Sequence, residues 1–210
     1  MESDAAPVSR NQLLVMLLAA KETIMSAGTI EIPGYIAGTW DIDPVHSHVG
    51  FMARHLMVSK VRGSFGKLEG QIITAENPLD SSAAATIDTT SLTTSNEQRD
   101  GDVKGENFLD VEHHPAMTYQ TTGLRQEAGD IIASGDLTIK GITKPVTLTV
   151  EVNGFGPDPY GGTRLGLSAT GEIDRTDYGI TANMVLPTGG VMVSEKIQLT
   201  IEIEASLKTA

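Results

Sequence analysis

From Ile36 onward the chain alternates apolar and polar residues with a period of two, and sustained helical periodicity is scarce. In VMVSEKIQLTIEIEASL the odd positions Val191, Val193, Ile197, Leu199, Ile201, Ile203, Ala205 and Leu207 are apolar, while the even ones are mainly Ser, Lys, Gln, Thr and Glu. Successive strand side chains point to opposite faces, so this is a predicted long strand with one wet face. PVTLTVEVNGF repeats the arrangement with Val146, Leu148, Val150 and Val152, TRLGLSATGEI with Leu165, Leu167, Ala169 and Ile173, and DIIASGDLTIKG with Ile131, Ala133, Leu137 and Ile139. In DIDPVHSHVGFMARH, read as a strand, Val45, Val49, Phe51 and Ala53 share the apolar face with His55, and His46 and His48 point the other way.

Similar segments at about 38–43, 46–57, 60–74, 82–90, 116–126, 130–140, 143–155, 163–174 and 191–207 give eight or nine strands. EAGD and KGIT read as tight hairpins in which Gly129 and Gly141 supply the unusual backbone angles, so neighbours run antiparallel. Closing such a sheet into a barrel removes its exposed edges, and glycines inside GLSATG suit a bending wall. The fold class expected is therefore all-β, an extended antiparallel barrel of about eight strands.

Two stretches break the rhythm and are expected to lie across a barrel mouth. TSNEQRDGDVKGENFLD carries a predicted short helix from an N-cap at Ser95, with Gln98 in the capping-box position, to about Phe108. DRTDYGITANMVLPTGG separates the last two strands. The barrel domain spans 36–210. Residues 1–35 are an N-terminal extension: a short apolar helix, a tag or an upstream start ahead of Met25.

Composition narrows the functional classes. Fifteen Lys+Arg against 27 Asp+Glu give a net charge of -12, which opposes nucleic acid and anionic membrane surfaces. Cysteine is absent, which excludes disulfides, thiolate metal sites and cysteine nucleophiles. The apolar run Leu13 to Ala20 is about half the length of a bilayer span, so no transmembrane segment is expected. As an export signal it is poor: Glu2 and Asp4 precede it against a single Arg10, and no clear cleavage site follows, which favours the cytoplasm over secretion.

Candidate chemistry is sparse. His46 and His48 stand about 6.5 Å apart along a strand and do not converge with His55, so no metal site is expected. The pair His113-His114 precedes Pro115 at an extended turn. Nucleophile-elbow, dinucleotide-binding, P-loop, zincin and EF-hand signatures are all missing. Serine, histidine and aspartate are present, so a dispersed triad stays open on residues alone. So does a structural barrel whose side chains fill its own core.

Four ordered motifs carry a resemblance: GTWDIDPVHSHVGFMARHLMVSKVRGSFGKLEG (Gly38 to Gly70), TTSLTTSNEQRDGDVKGENFLDVEHHPAMTY (Thr89 to Tyr119), GDLTIKGITKPVTLTV (Gly135 to Val150) and DRTDYGI (Asp174 to Ile180). Together they resemble the YceI-like family over about Ile36 to Ser206. The resemblance implies a lipocalin-like barrel that holds a long-chain isoprenoid or similar lipid in its lumen and performs no chemistry on it, needing no cofactor. The recurrent positions it carries over are Trp40, Asp43, His46, Ser47, Phe51, His55, Gly63, Phe65, Arg99, Asp100, Phe108, Pro115, Gly141, Arg175, Asp177 and Gly179. His48 is outside that pattern.

In such a barrel the expected tail-binding set is Val49, Phe51, Ile87, Leu137, Ile139, Leu148, Val150, Leu167, Ile173, Leu199 and Ile201. Few aromatics (4% of the chain) and the wall alanines Ala83, Ala85, Ala133 and Ala169 suggest an under-filled lumen. A head group is expected at the mouth with His46, Ser47, Arg99, Arg175 and Asp177, the arginines binding it in bidentate fashion or forming salt bridges to Asp100 and Asp177. Expected partners are the lipid itself and, as one option, a second copy in a homodimer.

Overall fold

A computed structural model describes residues 30–186 and 189–209. The apolar run at Leu13 to Ala20 and the alternative start at Met25 lie outside the described residues. Ile32–Ala210 form one compact unit, and it alone is described below.

Eleven strands make one sheet: β1 (Gly38–Ile42), β2 (His48–His55), β3 (Ser59–Phe65), β4 (Leu68–Thr74), β5 (Ser82–Asp88), β6 (Leu92–Thr93), β7 (Ala116–Glu127), β8 (Asp130–Ile139), β9 (Ile142–Pro157), β10 (Thr163–Asp174) and β11 (Val193–Leu207). Every pairing is antiparallel. Eight of them, in the order β1-β4-β5-β7-β8-β9-β10-β11, close into a ring through a β1–β11 pairing.

The three remaining strands extend the ring's own strands. β11 pairs with β2 over Val193 to Glu202 and with β1 at Ala205 to Leu207, so β1 and β2 are one strand interrupted at 43–47. β3 and β4 are likewise one line broken at Gly66-Lys67, and β5 and β6 one line broken by a turn of 3-10 helix at Thr89–Ser91. The result is a closed eight-stranded up-and-down barrel, as the alternation implies.

The two hairpins read from sequence form as expected. Ala128 and Gly129 have φ of 53° and 100°, and Lys140 and Gly141 have 51° and 73°, the positive values a two-residue hairpin of matching twist demands. Gly63 leaves the space that the Phe51 ring occupies on the neighbouring strand, and Gly135 does the same for Tyr119; a Cβ at either position would collide with the ring.

The helix, α1 (Glu97–Lys104), is shorter than the sequence suggests. Its N-cap is Asn96, whose side chain accepts from the Arg99 amide at 2.9 Å. Ser95 sits instead at φ 59°, with its own amide donating to Thr93 Oγ1 at 3.1 Å, and cannot serve as the cap. Gly105 ends the helix by donating its amide to Asp102 and Gly101, so the chain leaves helical geometry before Phe108. Phe108 and Val103 then pack on the core.

A second correction concerns Val45, expected on the inner face. Residues 43–47 bulge out of the strand because Asp43 Oδ1 accepts from the Val45 amide at 2.9 Å, and the Val45 side chain is left 81% exposed.

Candidate functional site

The barrel interior is hollow. A cavity of about 900 Å³ runs through it, with walls that are overwhelmingly apolar. That is at the upper end of ordinary small-molecule sites. All eleven residues of the expected tail-binding set line it, as do the alternating positions on the neighbouring strands, among them Val146, Val152, Leu165 and Ile203. The lumen stays open because the wall facing it mixes branched aliphatics with Ala83, Ala85, Ala133 and Ala169.

At one end the chain packs aromatic rings. Trp40, fully buried, donates its indole N–H to Thr74 Oγ1 at 2.7 Å, and Phe155 meets both Trp40 and Tyr35 edge to face with centroids 5.5 and 5.4 Å apart. At the other end lie α1, the turn between β2 and β3, and residues 175–186 and 189–192, and here the charged lining residues gather, among them Arg99, Asp102, Glu106 and Arg175.

The five residues expected around a head group do not come together. Arg99 lines the cavity; its Nε donates to Thr94 Oγ1 at 2.8 Å and one terminal nitrogen to the Thr94 carbonyl at 2.9 Å. No salt bridge to Asp100 forms, because that carboxylate accepts from the Thr94 amide and hydroxyl and from Thr93. These bonds hold the Asp100 carboxyl below its ordinary value.

Arg175 also borders the cavity but is only 4% exposed, and its guanidinium is committed to backbone carbonyls: Ser194 at 3.0 Å, Ala182 at 3.0 Å, Val193 and Ile180. It ties the segment after β10 to the start of β11, and burial pulls its pKa down. Asp177, exposed on the adjacent 3-10 turn, makes no ion pair with it and does not reach the lumen.

His46 and Ser47 lie on the outer wall, at the bulge between β1 and β2, and do not line the cavity. Ser47 Oγ accepts from the Glu204 amide at 3.1 Å, and donates at 3.0 Å to the Glu204 carbonyl, which also keeps a backbone bond from the Asp43 amide at 2.8 Å. Beside it Asp43 Oδ2 accepts from Arg164 at 2.8 Å and pairs with His46 Nδ1 at 3.0 Å. The His46 and Val45 hydrogen bonds hold Asp43 down to about 2, and the same carboxylate raises His46.

Asp43, His46 and Glu204 have ligand atoms within 4.8 Å of one another, a group with the donors for a metal. The Arg164 guanidinium, 2.8 Å from Asp43, 3.0 Å from Asp158 and 3.4 Å from Glu204, already supplies the cation there. His113 pairs locally with Asp110 at 2.8 Å, away from the lumen.

Sequence reasoning did not single out two contributors. Arg164 joins carboxylates from three parts of the chain, and nothing in one sequence marks that convergence. Tyr119 was within reach of the pattern, since Met117, Tyr119 and Thr121 alternate with polar neighbours and all three line the cavity. Its hydroxyl is buried without a hydrogen-bond partner among the described residues, and burial raises its pKa.

These features define a lipocalin-like antiparallel barrel with one continuous apolar chamber. The YceI-like domain model matches residues 40–205, and the chain belongs to that family. A UPF0312 protein of Staphylococcus epidermidis is 38% identical over 170 residues, covering 80% of this chain and 97% of the relative. Among solved structures, a YCEI protein of Campylobacter jejuni matches with TM-score 0.63 and 27% identity, covering 74% of this chain and 90% of its own. A polyisoprenoid binding domain from Saccharophagus degradans shares the fold with TM-score 0.58 at 16% identity, over 82% of this chain and all of the domain.

Proposed function

We propose that the protein binds a long-chain isoprenoid or similar amphipathic lipid in the barrel lumen, carrying or sequestering it without altering it chemically. The observation that carries this reading is the chamber itself: about 900 Å³, elongated along the barrel and walled by the alternate residues of every long strand. Family membership and the polyisoprenoid-binding relative of the same fold support it.

Binding is then hydrophobic transfer. Each buried methylene contributes about 0.8 kcal/mol, so ten give roughly 8 kcal/mol before ordering costs, the scale of a micromolar complex. The tail occupies the middle of the barrel, against Phe51, Leu148, Leu167 and Leu199. The head group lies at the α1 end, where Arg99 keeps a terminal nitrogen free of protein acceptors among the described residues. Arg175, saturated by carbonyls, shapes that end without binding the ligand.

Equilibrium binding of a polyisoprenyl alcohol and of a short water-soluble isoprenol tests the reading. Affinity is expected to climb steeply with tail length until the lumen is full. Equal, weak affinity for both would contradict it.

A further inference from the structure

The turn between β2 and β3 breaks two rules at once. Leu56 and Met57 occupy left-handed backbone positions, φ 52° and 62°, which bulky residues rarely adopt and which the hairpins at Gly129 and Gly141 fill partly with glycine. Their side chains, with that of Val58, then project into solvent: Met57 is 50% and Val58 83% exposed. The Leu56 amide donates to the Met192 carbonyl at 2.8 Å and the Met192 amide to Met184 at 2.9 Å, which brings exposed Met184 and Val185 alongside.

Just behind this tip the wall is basic. Arg54 stands directly across the strands from Lys60, and Arg62 follows two residues on. Like charges placed opposite each other destabilise a sheet. None of the three has a carboxylate within salt-bridge distance among the described residues. The same corner is continuous with the lumen, since His55 and Met192 line the cavity.

We infer that this corner docks on an anionic phospholipid surface, the apolar tip entering the headgroup layer and Arg54, Lys60 and Arg62 pairing with phosphates above it. The charge of -12 opposes such contact for the molecule as a whole. Screening limits each charge to a range of about 8 Å at physiological salt, so at the membrane the local cations outweigh distant carboxylates. Docking would bring the α1 end of the chamber to the layer from which a lipid is taken up. The inference rests on the lipid-binding reading for its purpose, but the two fail separately: chamber occupancy is read by solvent extraction, docking by vesicle flotation.

The test is flotation of the full chain with phosphatidylcholine vesicles, with and without phosphatidylglycerol, at low and high salt. Wild type is expected to float with the anionic vesicles, less at high salt, and not with the neutral ones. Lys60→Gln with Arg62→Gln should weaken flotation roughly 25-fold, about fivefold for each charge. Leu56→Asn with Met57→Gly installs a favourable turn, so it should fold at least as stably, retain its extracted lipid and lose flotation. Three results would each overturn the inference: no flotation of wild type with anionic vesicles, flotation that neither double variant changes, or a dimer that the tip variant dissolves with no vesicle binding at any stage.

Discussion

Ser47 completes the β-ladder opposite Glu204, its hydroxyl donating to the Glu204 carbonyl and accepting from the Glu204 amide. One side chain thus does at the bulge what two backbone groups do elsewhere along β11. Ser47→Ala leaves the half-buried Glu204 amide unpaired, while the Glu204 carbonyl keeps the Asp43 amide at 2.8 Å, and should cost about 1–2 kcal/mol. Urea denaturation checks this; a shift below a few tenths of a kcal/mol would mean that water replaces the hydroxyl.

The neighbouring pair sets a pH dependence with two limbs. Asp43, held at about 2 chiefly by the His46 hydrogen bond, contributes stability that is present above its unfolded value near 3.8 and is lost as pH falls from there towards 2. His46 is raised above 6.5, so its contribution is full below 6.5 and is lost as pH rises through its folded value. NMR titration should show His46 returning towards 6.5 in Asp43→Asn. An unchanged His46 midpoint would show that the pair does not form in solution.

The carbonyl cage around Arg175 fastens Ile180 and Ala182 to the start of β11 at Val193 and Ser194. Arg175→Met keeps much of the volume but strands several carbonyls, and it should destabilise the protein by about 3 kcal/mol or more. Hydrogen exchange should accelerate first at Ile180 and Met192, whose amides bond within this segment.

On the proposed function, Arg99 and Arg175 should separate in ligand binding. Arg99→Gln should weaken pyrophosphate-headed lipids by about tenfold or more, the scale of one charge-assisted hydrogen bond, while leaving the matching alcohols nearly unchanged. Competition binding of the two head groups checks it, and equal losses for both would assign Arg99 to structure alone.

Tyr119 offers a test with opposite signs for the empty and filled barrel. Its hydroxyl is buried without a hydrogen-bond partner among the described residues, so Tyr119→Phe should stabilise the lipid-free protein by about 1 kcal/mol. If a polar atom of the ligand bonds that hydroxyl, the same change lowers affinity. Thermal melts before and after delipidation separate the two effects.

Much of the barrel was legible because strand geometry writes itself into sequence with period two. Val146 to Val152 and Ile197 to Ile203 place inward residues by alternation alone, and no distant contact can shift that parity without a bulge. Where a bulge occurs the reading fails: Val45 lies on the apolar parity but is turned out when Asp43 caps its amide. The N-cap falls one residue beyond Ser95, since Ser95 and Asn96 are both good caps and only the left-handed backbone at Ser95 decides between them. The polar residues were least legible. Arg164 lies 121 residues from Asp43, and the buried carbonyls that occupy Arg175 carry no side-chain signature.

Solvent extraction of the purified native protein followed by mass spectrometry, with Ala169→Phe as the paired control, tests the hollow-lumen account most directly. Wild type should release a long-chain lipid in near-stoichiometric amount. The phenylalanine displaces about four methylenes of tail at roughly 0.8 kcal/mol each, so the variant should fold and release little or none. A folded wild-type barrel that yields no lipid from any expression host, or a variant that retains it in full, would contradict the account.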